Sequence, residues 1–232
     1  MRVSALAEHV REGAGAAKQP HDGSARERAG GGEVSRSASV QEEQIRALVQ
    51  QLFFRQEFPL VRHVAVVAPD SQTDTGQLCL SIARVLAEDE SRTVGLIDTR
   101  PGSIALPIDT KGRPSSRRAS GREVAPRLWA VPLESWLDGT DSSPVSDQNL
   151  YRLRQIASEF DFSLLRCPPT AWLTSRVAQG CDGLVLVLTA NKTRRLVAAQ
   201  MRDQLRSAGI PVLGTVLTGR RFPVPQGLYR NL

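Results

Sequence analysis

Six short apolar runs punctuate the chain after residue 60, at 64–68, 93–97, 128–131, 162–165, 184–188 and 212–217. They are rich in Val, Leu and Ile, and most are continuous instead of alternating with polar residues. A strand wetted on one face alternates, whereas a continuous apolar strand is buried on both faces. That points to a parallel sheet with helices on each side. Helical stretches fill several of the gaps, at 78–88, 150–159 and 194–207, so the order strand, helix, strand predicts a single doubly wound, mainly parallel α/β domain. Ahead of the first strand, residues 41–54 place Ile45, Leu48, Val49 and Leu52 at three- and four-residue spacing. That spacing predicts an amphipathic helix of about four turns.

Two kinds of segment depart from this pattern. Residues 1–40 are Gly, Ala, Ser and charge with almost no large apolar side chain, a composition that cannot bury enough surface to offset the entropy of ordering. The expectation is a disordered tail of residues 1–40 followed by a domain of residues 41–232. Within the domain, 109–127 and 138–147 are polar and rich in Ser, Pro and Gly, and read as flexible surface loops. The first carries Lys111, Arg113, Arg117, Arg118, Arg122 and Arg127 against Glu123, with Asp109 opening it. A solvated face or an acidic lipid or polymer are its two readings.

Composition narrows the classes. The 232 residues carry 30 basic and 24 acidic side chains, a formal charge of +6, compatible with an anionic partner without requiring nucleic acid. Cys79, Cys167 and Cys181 are isolated and odd in number, which fits neither a disulfide framework nor a zinc ribbon and makes a reducing cytoplasm the default. His9, His21 and His63 are too scattered to draw a metal set. The apolar run at 183–190 is less than half the ~20 residues that span a bilayer.

In a doubly wound sheet the ligand sits beyond the carboxyl ends of the strands, so the turn after the first strand, residues 69–77 (PDSQTDTGQ), is the first place to look. A phosphate loop there needs glycines whose amides converge on the phosphates, a Lys for the outer phosphates and a Ser or Thr for magnesium. This turn has one glycine and no lysine.

The stretches 63–87, 94–98 (VGLID), 160–169 (FDFSLLRCPP), 183–195 and 209–229 (GIPVLGTVLTGRRFPVPQGLY) resemble, in order and spacing, the bacterial tyrosine kinase family of capsular and exopolysaccharide biosynthesis. That P-loop family is related to the Min and Par partitioning ATPases. The resemblance covers residues 41–232 and implies a P-loop NTPase-like fold. It also places the family's functional positions. The phosphate-loop lysine falls on Thr75, its flanking glycines on Gln72 and Asp74, and the magnesium hydroxyl on Gly76, followed by Gln77. Of the two aspartates after the second strand, Asp98 remains and Arg100 replaces the other. The Walker B acid falls on Arg166. The C-terminal tyrosine cluster is absent, since Tyr151 and Tyr229 are the chain's two tyrosines.

Phosphoryl transfer depends on positioning and charge neutralisation by these parts, so their joint loss argues against kinase activity. The expected function is a catalytically degenerate, cytoplasmic kinase-like subunit, placed at the inner face of the membrane. It would regulate or scaffold exopolysaccharide or capsule polymerisation by docking on a membrane chain-length or export protein, with homo- or hetero-oligomers of kinase-like paralogues in view and no nucleic-acid partner. No cofactor is expected, ATP with magnesium being disfavoured. Two alternatives stay open: an active ATP-binding tyrosine autokinase, and a partitioning-type nucleotide switch. At the site, Asp98 reads as a structural ion-pair partner for Arg100 or Arg166, or as a surviving metal or water ligand. Arg166 reads alternatively as a phosphate contact. For the interface, Glu43 and Arg46 match the first two places of the Glu-x-x-Arg-x-x-Arg helix that family members use in ring assembly, with Val49 in the third. Phe53, Phe54 and Phe222 are the candidate apolar anchors.

Overall fold

A computed structural model describes residues 6–7, 30–54, 60–89, 92–100, 121–137 and 146–219. Among these residues eight strands form one sheet: β1 (Leu6–Ala7), β2 (His63–Val67), β3 (Val94–Asp98), β4 (Arg122–Ala125), β5 (Leu128–Val131), β6 (Phe162–Arg166), β7 (Gly183–Thr189) and β8 (Val212–Thr218). Their order across the sheet is β1-β8-β7-β2-β6-β3-β5-β4, parallel throughout except for the antiparallel β4 and β5. Among the described residues five α-helices, α1 (Gly30–Phe53), α2 (Gly76–Asp89), α3 (Asp147–Ser158), α4 (Ala171–Ala178) and α5 (Arg195–Ser207), cover its two faces.

The continuous apolar runs have the predicted cause. Along β2, Val64 and Val66 point into a core shared with α1 and α2, while Ala65 and Val67 point into a second core shared with α3, α4 and α5. Each strand thus feeds two hydrophobic layers, and a polar residue on either face would lie in one of them. Helices α2, α4 and α5 follow β2, β6 and β7 and start beyond the carboxyl ends of those strands, so the turns after β2, β6 and β7 converge at that edge.

Three features depart from the sequence expectations. Helix α1 begins at Gly30, ahead of the expected start at Gln41, and β1 adds a short parallel strand beside β8. Both lie in the stretch expected to be a structureless tail. Helix α1 extends back from the turns that Ile45, Leu48, Val49, Leu52 and Phe53 anchor in the core, adding one backbone hydrogen bond per residue, so apolar spacing does not mark its start. The end of the segment read as a loop at 109–127 forms β4, a short edge strand turned onto β5 through Arg127, whose φ is +63°. The remainder of that segment, residues 138–145 and the C-terminal stretch from Arg220 onward, with Phe222 in it, lie outside the described residues. Helix α4 was not foreseen; its inward residues, Thr174, Val177 and Ala178, are too few and too small for a periodic signal.

Candidate functional site

The turn from β2 into α2 is held by its own side chains. Asp70 accepts hydrogen bonds from the Thr73 amide and hydroxyl at 2.8 Å each and from the Thr193 hydroxyl at 2.9 Å. Burial raises the Asp70 pKa, but these bonds outweigh it and hold the carboxyl below its ordinary value. Thr73 continues the chain of hydroxyls to Thr189 (2.9 Å) and Thr189 to Thr218 (3.3 Å), lacing together the ends of β2, β7 and β8. Spacing along the sequence does not mark these threonines, because Thr73, Thr189 and Thr218 meet only through the β2-β7-β8 order of the sheet.

The two positions that carry most of the chemistry are Asp74 and Arg166. The Gly76 amide, first of α2, donates to Asp74 Oδ1 at 2.8 Å. In a phosphate loop an amide at a helix N-terminus is directed at the ligand; here the chain's own carboxylate takes it. Arg166 lies at the end of β6, directly beside Asp98 on β3, and its guanidinium reaches Asp98, Asp74 and Thr75. Nη1 donates to Asp98 Oδ2 at 3.2 Å, Nη2 to Asp74 Oδ1 at 3.0 Å and Nε to the Thr75 hydroxyl at 3.2 Å. The Arg166 and Asp98 side chains are 8% and 5% exposed, against 48% for Asp74. A Cβ placed on Gly76 would stand 3.3 Å from the Arg166 guanidinium carbon, so this cation fills the space beneath the loop.

Asp98 also accepts from the Arg100 amide at 3.0 Å, and its carbonyl accepts from the Trp136 indole N–H at 3.3 Å. The Arg166 carbonyl takes both the Thr99 amide and the Thr99 hydroxyl. Burial and the charge of Arg166 lower the Arg100 pKa, which places Arg100 in the same electrostatic neighbourhood. The geometry therefore joins Asp74, Thr75, Gly76, Asp98, Arg100 and Arg166 in one cluster, with the Asp98 carboxylate in an ion pair with Arg166. Gln72 and Gln77 flank it and are exposed. Nearby Cys79 and Cys167 are fully buried, and burial pushes the Cys167 thiol up to about 12 and Cys79 higher still. Neither is a nucleophile at neutral pH.

The expected interface residues separate. Glu43 is exposed, Arg46 is half-buried and bonded to Glu42 at 3.0 Å, and Val49 is in the core, so the line from 43 to 49 runs from solvent into the protein. Phe53 and Phe54 are corrected as interface anchors: their rings stand edge-on to Phe162 at 5.4 and 5.8 Å, Phe53 fully buried and Phe54 half-buried. A run of large apolar side chains next to charge looks alike in sequence whether it closes a core or a partner surface. A groove of about 390 Å³ opens between α1 and α2, lined by Gln41, Glu42, Ile45, Ser81, Arg84, Val85 and Glu88, none of which belongs to the Asp74–Arg166 cluster. No grouping of His, Cys, Asp and Glu able to hold a metal occurs among the described residues. Nor is any helix among them long and apolar enough to cross a membrane.

No protein-family profile matches the chain. No curated protein matches it either. Solved structures do. The BceF tyrosine kinase domain matches with a TM-score of 0.60 at 18% identity, over 81% of this chain and 86% of that one. The kinase domain of the Escherichia coli tyrosine kinase ETK matches with a TM-score of 0.61 at 16% identity, over 80% and 79%. A putative plasmid partition protein from Borrelia burgdorferi B31, solved bound to AMPPNP, matches with a TM-score of 0.51 at 15% identity, over 74% and 82%. The chain is thus a single α/β domain with the P-loop NTPase-type fold of the bacterial tyrosine kinase domains.

Proposed function

We propose that this protein is a catalytically degenerate, kinase-like subunit that regulates or scaffolds exopolysaccharide or capsule polymerisation and export through a membrane-embedded chain-length or export protein. One observation supports the degenerate reading above the others: the loop carries both halves of its own charge pair. Asp74 takes the Gly76 amide that would otherwise face phosphate, and Arg166 supplies the cation that a loop lysine or magnesium would supply. An incoming triphosphate would meet the Asp74 carboxylate, and a magnesium ion would meet a guanidinium held at the Walker B position. Both contacts are repulsive, and the low dielectric around buried Arg166 strengthens the second. The fold shared with kinase domains supplies the kinase-like half of the reading, and the export partner follows from the sequence resemblance.

The test is calorimetric titration of the full chain with magnesium and ATP, beside a catalytically active kinase domain of the same fold. No heat of binding is expected from this protein. A micromolar dissociation constant that vanishes when magnesium is chelated would overturn the degenerate reading in favour of an active autokinase or a nucleotide switch.

A further inference from the structure

Helices α4 and α5 lie on the same face of the sheet, pack against each other and both start at its carboxyl edge. Their first turns are therefore neighbours. Trp172, the second residue of α4, is 63% exposed, and Leu196, the second residue of α5, is 72% exposed, with Val197 beside it at 37%. These are three of the five large apolar side chains that the described residues leave in solvent. Lys192, Arg194 and Arg195 immediately precede Leu196 and Val197 and are exposed. Among the described residues none of these three cations has an ion pair, whereas Arg176 further along α4 is paired with Asp147 at 2.7 Å. Neither helix has an acidic residue in its first turn.

We propose that this edge is a docking face for an anionic lipid surface, with Trp172, Leu196 and Val197 entering the headgroup region and Lys192, Arg194 and Arg195 contacting lipid phosphates. The mixture fits that environment: an indole at headgroup depth, aliphatic groups just below it, and basic residues whose attraction to an anionic leaflet adds up. A two-fold contact with a second copy of this chain fits less well, because it would bring the three cations of each copy together. The inference goes beyond the proposed function in naming the surface that meets the membrane. It does not rest on the nucleotide-site reading, since an ATP-binding chain would dock equally well.

Trp172 makes the test direct, because the other two tryptophans, Trp129 and Trp136, are buried. The full chain is mixed with vesicles of phosphatidylcholine alone or with about 30 mol % phosphatidylglycerol. Co-sedimentation and a blue shift of tryptophan emission are expected with the anionic vesicles only. The triple variant Lys192→Glu, Arg194→Glu, Arg195→Glu should lose on the order of a hundredfold in partition. The variant Trp172→Ser, Leu196→Ser should lose about tenfold in partition by co-sedimentation. All positions are exposed, so unchanged melting temperatures are expected, and they confirm that folding is intact. Absence of co-sedimentation, or equal binding by the wild type and the triple variant, would overturn the proposal. So would a wild-type dimer that the variants dissociate without any effect of vesicles, since that would assign the face to a second copy.

Discussion

Arg166 and Asp98 stand side by side on adjacent parallel strands, joined at 3.2 Å in a site where each side chain is less than a tenth exposed. A buried pair of this kind contributes little net stability against two apolar residues of equal volume, but removing one partner strands the other as a buried charge at a cost of about 3–5 kcal/mol. Arg166→Met is therefore expected to lower the unfolding free energy by about that amount, and Asp98→Leu combined with it to recover most of the loss. Urea denaturation of the two single variants and the double variant measures the coupling. Additive losses would show that the two residues do not act as a pair.

The same cluster governs any attempt to rebuild a nucleotide loop. Gln72→Gly, Asp74→Gly and Thr75→Lys together restore the loop's composition, yet they release Arg166 from Asp74 while leaving its guanidinium beside Asp98 where magnesium would bind. No magnesium-dependent ATP hydrolysis is expected from this triple variant. Adding Gly76→Ser or Thr and Arg166→Asp is the first combination in which a metal could approach. Turnover measured by phosphate release in the triple variant alone would mean that Arg166 is not the obstacle.

The sheet was legible because its strands feed two hydrophobic layers: Val64 and Val66 on one side and Ala65 and Val67 on the other leave a continuous apolar run, and helical stretches between such runs point to a parallel sheet. The site was legible in part. Its positions followed from the resemblance, but the bond from Gly76 to Asp74 and the three-way reach of Arg166 depend on side-chain directions that spacing does not encode. The Asp70, Thr73, Thr189, Thr193 and Thr218 network was missed for the same reason, since hydroxyls from three strand ends meet only once the strand order is known. Helix α1 before residue 41 and β4 were missed because backbone pairing forms them and apolar patterning does not.

His63 couples stability to pH. Its Nδ1 lies 2.9 Å from the Ser163 hydroxyl, and burial lowers its pKa from the ordinary 6.5, more than Asp182 raises it, with Arg62 lowering it further. The unfolded chain therefore takes up this proton at higher pH than the folded one. Across that window the unfolded state holds more protons, so stability is full above about 6.5 and falls as pH drops toward the folded value. Asp70 acts lower: its stabilisation is present above the ordinary carboxylate value of 3.8 and is lost as pH falls through its depressed folded value. Urea midpoints followed from neutral pH to about 5 are expected to decline in the wild type and to stay flatter in His63→Gln. Equal slopes in the two proteins would remove His63 as the cause.

Glu43 and Arg46 lie on the outer part of α1, and the proposed scaffold role would place a partner against this helix. Glu43 is exposed, and Arg46 bonds to Glu42 four residues earlier, an arrangement that contributes only a few tenths of a kcal/mol to an exposed helix. The stability of α1 comes instead from Ile45, Leu48, Val49, Leu52 and Phe53 in the core. Replacing Glu43 and Arg46 together by Ala should leave the melting temperature within about a degree or two of the wild type. If the outer face of α1 is a contact surface, the same variant should form smaller assemblies in light scattering and recover less of the membrane export protein in pull-down from the native host. A variant that stays folded, with unchanged assembly size and unchanged recovery, would show that α1 serves the core alone and that any scaffold contact lies on another face.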